Sequence, residues 1–466
     1  MKNLLAGDGA APGHRASVGK FGVVMASAVI GATSLVAAPA FAQGGSTTMQ
    51  LIRMMHDNGS ITDTQYQQLM NAAQNESAAA AQSGSGTLAN TNGGSSDTVT
   101  TGAGTGFSDN LKQQFDSMAW AQKIKLTGDV RLRYEYNSNN DALGTALGNP
   151  AADTDNRSRG RVRYRLGMIA NPVDNLELGA GLASGGDDPR STNQTFGDNF
   201  SSKGIQLDYA YGQYDFTPYL ANGFQLKAIG GKFKFGDYLW HPTDAMWDGD
   251  INPEGGSVHL AKKSSIGETF LNSGVWVIQE NSGSNQDPYL WYVQGGQHFS
   301  VNNFIASIGG TYYGFEETYT GDNAPDTVFE YGSGTNTTSQ FSVVDVDGTI
   351  GTKFDGGKAE LIGQYLKNTH EGVGKDAGWA VGGKASLNKW GMKYLYVDLD
   401  RNVVPDSYPD SDRFSGATGM KGHEVAVSYA LNDAIEFGVD YYNTESKFGP
   451  SDDRQNLVQT DVEFSF

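Results

Sequence analysis

The sequence predicts an all-β protein, a transmembrane antiparallel β-barrel of about 16 strands preceded by a short α-helical segment. Three observations carry this. From Lys123 onward apolar and polar residues alternate with a period of two; the alternating segments are separated by gaps that are long and short in turn; and the last segment ends on an aromatic residue, Phe466. Length alone, 466 residues, would suggest two or three domains. Composition points elsewhere. With 62 glycines, 22 tyrosines, 22 phenylalanines and only 18% charged residues, many short strands are favoured over helices. No unbroken apolar run of helix-spanning length follows residue 42, which excludes helical membrane spans and leaves barrel spans open. The absence of cysteine removes disulfide frameworks and thiolate metal sites. A formal charge of -19 argues against a nucleic-acid partner, which needs a basic face to neutralise phosphates.

Residues 1–42 read as an export signal: Lys2, Arg15 and Lys20, an apolar stretch over 21–38, then Ala40, Phe41 and Ala42 before Gln43. A retained anchor is the alternative, but small residues at the expected cleavage site favour removal, which leaves the mature chain more acidic still. Residues 43–75 form a short helical or coiled-coil segment in the periplasm. Leu51, Ile52 and Met55 share a helix face, Asn58 and Gly59 stop it, and Thr62 with Gln65 has capping-box spacing, flanked by Ile61 and Tyr66 as a hydrophobic staple. Such a segment is too short for a core of its own and needs a partner, either another copy or the rest of the protein. Residues 76–118, rich in Ala, Ser, Gly, Thr and Asn, make a flexible linker to a barrel spanning 119–466.

In the first strand Leu126, Val130, Leu132, Tyr134 and Tyr136 alternate with Lys125, Asp129, Arg131, Arg133 and Glu135. In the second, Val162, Tyr164, Leu166 and Met168 oppose Arg159, Arg161, Arg163 and Arg165. A soluble sheet with one wetted face would show the same alternation. What decides against it is the whole set: strands expected to start near residues 123, 157, 176, 203, 224, 255, 268, 288, 304, 342, 358, 377, 390, 421, 435 and 456, an even number, with odd-numbered gaps long and even-numbered gaps short, as tight periplasmic turns and longer external loops require. On the last strand Val458, Thr460, Val462, Phe464 and Phe466 alternate with polar residues, and a terminal aromatic in this setting resembles the signal read by the barrel assembly machinery. Trp240, Trp291, Trp379, Trp390 and Tyr441 are candidates for interfacial girdles. An arginine facing lipid at mid-bilayer costs roughly 2–4 kcal/mol, so four of them outside would cost on the order of 10 kcal/mol, comparable to a whole domain's stability. The arginines therefore point inward. They repeat every 6.6–6.8 Å or roughly so along each strand and form a basic ladder lining a lumen wide enough to conduct.

Three stretches carry a family resemblance: Arg157-Ser-Arg-Gly-Arg-Val-Arg-Tyr-Arg165, Ser184-Gly-Gly-Asp-Asp-Pro-Arg-Ser-Thr-Asn-Gln-Thr195 and Trp247-Asp-Gly-Asp-Ile-Asn-Pro-Glu-Gly255. With the helical pair before the barrel, the chain resembles the "putative porin" family of Gram-negative outer membranes. The resemblance covers the mature chain at the level of layout, with its specific motifs in the first half of the barrel. It implies a water-filled outer-membrane channel for small hydrophilic solutes, in contact with outer-membrane lipid and lipopolysaccharide, and does not name the solute. By analogy with sixteen-stranded porins, a homotrimer is expected, and the third external loop, residues 237–254, is expected to fold inward. That loop carries Asp244, Asp248, Asp250 and Glu254. Carboxylates facing the wall arginines would set a transverse field across a constriction.

Other readings are weaker. Asp248, Asp250 and Asn252 are spaced like part of a calcium loop, but Pro253 stands where an EF-hand needs glycine and the closing Glu is missing. No metal or other cofactor is expected. Ser257 and His259 are the best pair for an enzyme in the wall, and they lack a nucleophile elbow. The other histidines, His56, His241, His298, His370 and His423, show no metal-ligand spacing. A substrate-specific or plugged transporter is the nearer alternative, although the linker lacks the apolar content of a folded plug.

Overall fold

The computed structural model describes His56, residues 63–64, 66–71, 123–139, 141–149, 156–283, 286–318, 328–449 and 454–466. Two compact units are present, residues 27–122 and a barrel unit from Lys123 to Phe466. In the first, His56, Asp63, Thr64 and residues 66–71 are helical. The signal segment, the linker and the cap at Thr62 lie outside the described residues.

The barrel consists of sixteen long strands: β1 (Ile124–Ser138), β2 (Arg157–Ala170), β3 (Leu176–Ser184), β4 (Ile205–Asp215), β5 (Phe224–Lys232), β6 (Glu254–Ser264), β7 (Gly267–Val277), β8 (Tyr289–Val301), β9 (Phe304–Glu316), β10 (Ser342–Phe354), β11 (Gly357–Asn368), β12 (Ala377–Leu387), β13 (Trp390–Leu399), β14 (Met420–Ala430), β15 (Ile435–Ser446) and β16 (Arg454–Ser465). Each start lies within two residues of the position expected from alternation. Neighbours in sequence pair antiparallel, and a two-residue segment, Gln194–Thr195, adds to the edge of β2. Closure is by β1, which pairs β2 from Ile124 opposite Ala170 to Asn137 opposite Arg157, and pairs β16 from Asp129 opposite Ser465 to Ser138 opposite Asn456. The chain end completes the seam: Gly128 and Phe466 exchange both backbone hydrogen bonds, at 3.1 and 3.0 Å, and the Phe466 ring lies where a Cβ on residue 128 would be, so glycine is required there.

Because side chains alternate across a strand, one register choice sends every second residue outward. Leu126, Leu132, Tyr134, Leu271, Ile308, Ile350, Leu361 and Met392 are exposed on the outer face, while Arg131, Arg133, Glu135, Arg161 and Arg163 are buried within. Trp379, Trp390 and Tyr441 are exposed as girdle residues should be. Trp240 is not one of them. It is 5% exposed, packed over Gly309 inside the barrel, with its N–H and C=O bonded to the Gln294 amide at 2.8 and 2.7 Å.

All eight long connections, L1 to L8 in order, leave odd-numbered strands and so lie at one end of the barrel. Among the described residues, L2 (185–204), L3 (233–253), the part of L5 from 328 to 341, and L7 (400–419) fold inward. Only L3 was expected to. Phe233, Tyr238, Leu239, Met246 and Trp247 of L3 join Val403, Val404 and Phe414 of L7 and Phe329 of L5 in one buried apolar cluster against Trp276, Tyr292, Tyr313, Leu366 and Leu395 of the wall. On this side of the barrel, inward-facing apolar residues from β7 to β13 are thus covered by the loops.

Candidate functional site: a charged cavity between wall and loops

The opposite half of the interior, at β1 and β2, is charged. Pairing in register places Arg131 opposite Arg163 and Arg133 opposite Arg161, a juxtaposition that would be unfavourable alone. Carboxylates from the same wall relieve it. Arg133 takes both oxygens of Asp461 at 2.8 Å through Nε and Nη2 and reaches Asp412 of L7 at 3.0 Å. Arg159 and Arg161 share Glu135 at 2.5 and 3.2 Å. Arg163 bridges Asp129 and Glu463 at 2.7 and 2.8 Å, and Arg165 bridges Asp129 and Asp250 at 3.1 and 3.2 Å. The ladder is therefore a network of buried ion pairs, a finding that adds neutralisation to the bare basic wall read from β1 and β2.

The L3 carboxylates do not act alike. Asp250 faces the ladder, one oxygen on Arg165 and the other accepting from the Thr192 backbone at 3.3 Å and hydroxyl at 3.2 Å. Burial opposes its ionisation, but Arg165, Arg163 and Arg131 outweigh burial and hold it below the usual carboxylate range. Asp244 points the other way, to Arg413 of L7 at 2.5 Å and Lys393 at 3.1 Å; there too burial is overcome by the two cations and the carboxyl stays low. Asp248 bonds backbone N–H groups of Asp250 and Ser411, each at 2.9 Å, and burial followed by Asp410 and Asp250 pushes it well above its ordinary value. Glu254 is separate from the other three. It opens β6, pairs with Lys232 at 3.1 Å and is 65% exposed, so it belongs to a strand end and not to the inward loop.

L3 and L7 are joined main chain to main chain, Asp248 N–H to the Tyr408 carbonyl at 2.7 Å and Asp410 N–H to the Asp244 carbonyl at 3.2 Å. Trp247 stacks on Tyr408 with ring centroids 4.8 Å apart. Arg190 of L2 ties the other loops in, donating to carbonyls of Asp406 at 3.0 Å, of Gly416 and of Tyr331 in L5. Residue 416 has φ +77° and a Cβ there would meet the Arg190 guanidinium at 2.4 Å, so only glycine fits. Between these loops and the ladder lies a cavity of about 350 Å³ lined by Arg131, Arg133, Arg163, Arg165, Asp244, Asp248 and Asp250 among others. Arg159 lines a second, smaller recess with Asp188 and Asp412, and Arg161 is held by Glu135 and by Ser191 at 3.2 Å.

Sequence reasoning missed Arg190, Arg413, Asp410, Asp412, Glu424 and Asp461. Their partners are up to 328 residues away, and no local spacing announces them. The calcium alternative loses its ligands: Asn252 donates its amide to Asp208 at 2.6 Å, and Asp248 and Asp250 are engaged as described. Among the described residues the one group of three carboxylates close enough to share an ion is Asp244, Asp410 and Glu424, and Arg413 and Lys393 already occupy its charges. Ser257 and His259 are not joined as a catalytic pair. Ser257 accepts from Trp276 at 3.0 Å and Tyr292 at 3.1 Å, while His259 pairs with Asn272 at 2.6 Å.

No curated protein matches the sequence. Solved structures similar to the chain include a mutant of Rh. blastica porin, 12% identical over 74% of this chain and 100% of that one with a TM-score of 0.39, and Pseudomonas putida OprB at high pH, 11% identical over 77% of this chain and 97% of that one with a TM-score of 0.47. A family model described as "Putative porin" matches residues 109–350, more than half of the sequence. The chain belongs to that porin family, whose members are channels of the outer membrane.

Proposed function

We propose that the channel is water-filled and narrowed by a charged constriction at the cavity between the ladder and L3, through which small hydrophilic solutes and ions diffuse passively. The single observation that supports this reading best is Asp250, an inward loop carboxylate 3.2 Å from a wall arginine, in a cavity lined by charged groups of both signs. Opposite charges across a low-dielectric gap orient water and sort solutes by size and charge. The chain works as a channel rather than as an enzyme, the helical unit faces the periplasm, and the barrel inserts through the assembly machinery that reads Phe466. Assembly as a trimer belongs to the same reading.

A swelling assay on liposomes carrying the full chain tests it. Small sugars and amino acids should enter and swell the vesicles, with rates falling steeply as solute size approaches that of the cavity. Vesicles that respond to no solute would count against a diffusion channel, and size-independent entry would count against the constriction.

A further inference from the structure

The ladder guanidiniums are unequally compensated. Arg133 has two carboxylate partners, Arg163 two and Arg165 two. Among the described residues the one carboxylate within ion-pair distance of Arg131 is the far side of Asp461 at 3.9 Å, whose oxygens are both taken by Arg133; Asp250 acts on it from farther away, and Nη2 donates to the Asn193 amide oxygen of L2 at 2.8 Å. Arg131 is 6% exposed, its Nε has no hydrogen-bond partner, and it lines the central cavity. A cavity-lining guanidinium whose charge is this weakly compensated favours an anionic acceptor from outside the protein.

The cavity's charge agrees. Eight lysines and arginines line it against seven aspartates and glutamates. Burial and then neighbouring carboxylates push Asp248 well above its usual range and Asp410 up to about 8, so Asp410 keeps its proton at neutral pH and the lining carries more cations than carboxylate charges although the whole chain carries -19. Phe235, Trp247 and Tyr442 also line it and give an apolar surface beside the charge.

We propose that the cavity holds a subsite for small organic carboxylates, the carboxylate on Arg131 and the carbon chain against the aromatic rings, with Asn193 positioning the guanidinium. Inorganic phosphate offers anionic oxygens of at least the same charge with no apolar part and is bound more weakly. The inference rests on the channel reading above and deepens it by naming a solute class.

The test uses the full chain in planar bilayers with butyrate, acetate and inorganic phosphate as probes. Wild type should prefer chloride over potassium, butyrate should block chloride current in a saturable way, and phosphate should need higher concentrations. Arg131→Gln should raise butyrate half-saturation by about tenfold or more, the loss of one charge-assisted contact, and shift selectivity toward cations while channels still open. Asn193→Ala should raise half-saturation by a smaller factor with chloride preference unchanged, and this variant with the wild-type curves decides the matter if Arg131→Gln fails to insert. Butyrate block that never saturates, equal half-saturation in wild type and Arg131→Gln, or phosphate binding as tight as butyrate would each overturn the subsite while leaving the channel standing. Absence of any conductance would overturn both.

Discussion

Asp410 illustrates how much one side chain can set in the cavity between wall and loops. It lies on L7 among Asp244, Asp412, Glu424 and Arg413, and burial followed by repulsion from Asp244 raises its carboxyl to about 8 against the pull of Arg413. An unfolded aspartate releases its proton near pH 4, so between about 4 and 8 the folded form holds the extra proton. Its contribution to stability therefore falls as pH rises through that window and is flat above it. In the channel the same deprotonation adds a negative charge to the cavity. Reversal potentials measured from pH 6.5 to 9.5 should drift toward cation preference through pH 8 or so, and Asp410→Asn should remove that step. An identical drift in the variant would assign it elsewhere. At this scale the sequence was partly legible: Arg131 to Arg165 point inward because alternation and the roughly 2–4 kcal/mol lipid cost leave no other choice. Their neutralisation was not, since Asp461 and Glu463 reach them only once β16 closes on β1.

The elements divide into strands written in local pattern and loops that are not. Each strand is fixed by a period of two, which survives errors of a residue at either end. L5 and L7 carry no period. They fold inward because Asp406 accepts from Thr335 N–H at 2.6 Å and Asn336 N–H at 3.2 Å, and because Val403, Val404 and Phe414 complete a core with L3, contacts that only tertiary structure assembles. L3 itself was placed by analogy and not by its residues, and its one misassigned member, Glu254, was counted in the loop because β6 begins one residue earlier than alternation indicates. Trp247 is the centre of the loop assembly, 2% exposed, packed on Phe235, Trp276, Tyr313 and Tyr408 and bonded to the Tyr313 hydroxyl at 3.2 Å. Trp247→Ala should destabilise the loop assembly by about 3–5 kcal/mol, the usual range for deleting a buried tryptophan. Thermal melts in detergent should register the loss as a lower transition for the aromatic near-ultraviolet signal than for the β-sheet signal. Coincident, unshifted transitions would mean that L3 and L7 do not depend on this residue.

At the scale of the whole molecule, the outer surface is apolar and the inner one is divided between an ion-pair wall and a loop-covered core. The outer face follows from sequence because hydrocarbon admits no exception, whereas the inner division does not, since an inward apolar residue and an outward one look alike in a list. Leu132, 45% exposed between the buried Arg131 and Arg133, tests the assignment of faces. Leu132→Arg should reduce the free energy of folding into lipid vesicles by about 2–4 kcal/mol in urea titrations. A neutral result would place this face against water or protein instead of lipid.

The central claim is an aqueous path through a barrel that inward loops constrict. Single-channel recording of the full chain in planar bilayers addresses it directly, comparing wild type with the double variant Trp247→Ala, Tyr408→Ala. Discrete conductance steps in wild type, enlarged in the variant as L3 and L7 part, are the predicted result. Steps of equal size in both proteins would remove the loops from the path, and a silent bilayer would contradict the channel itself.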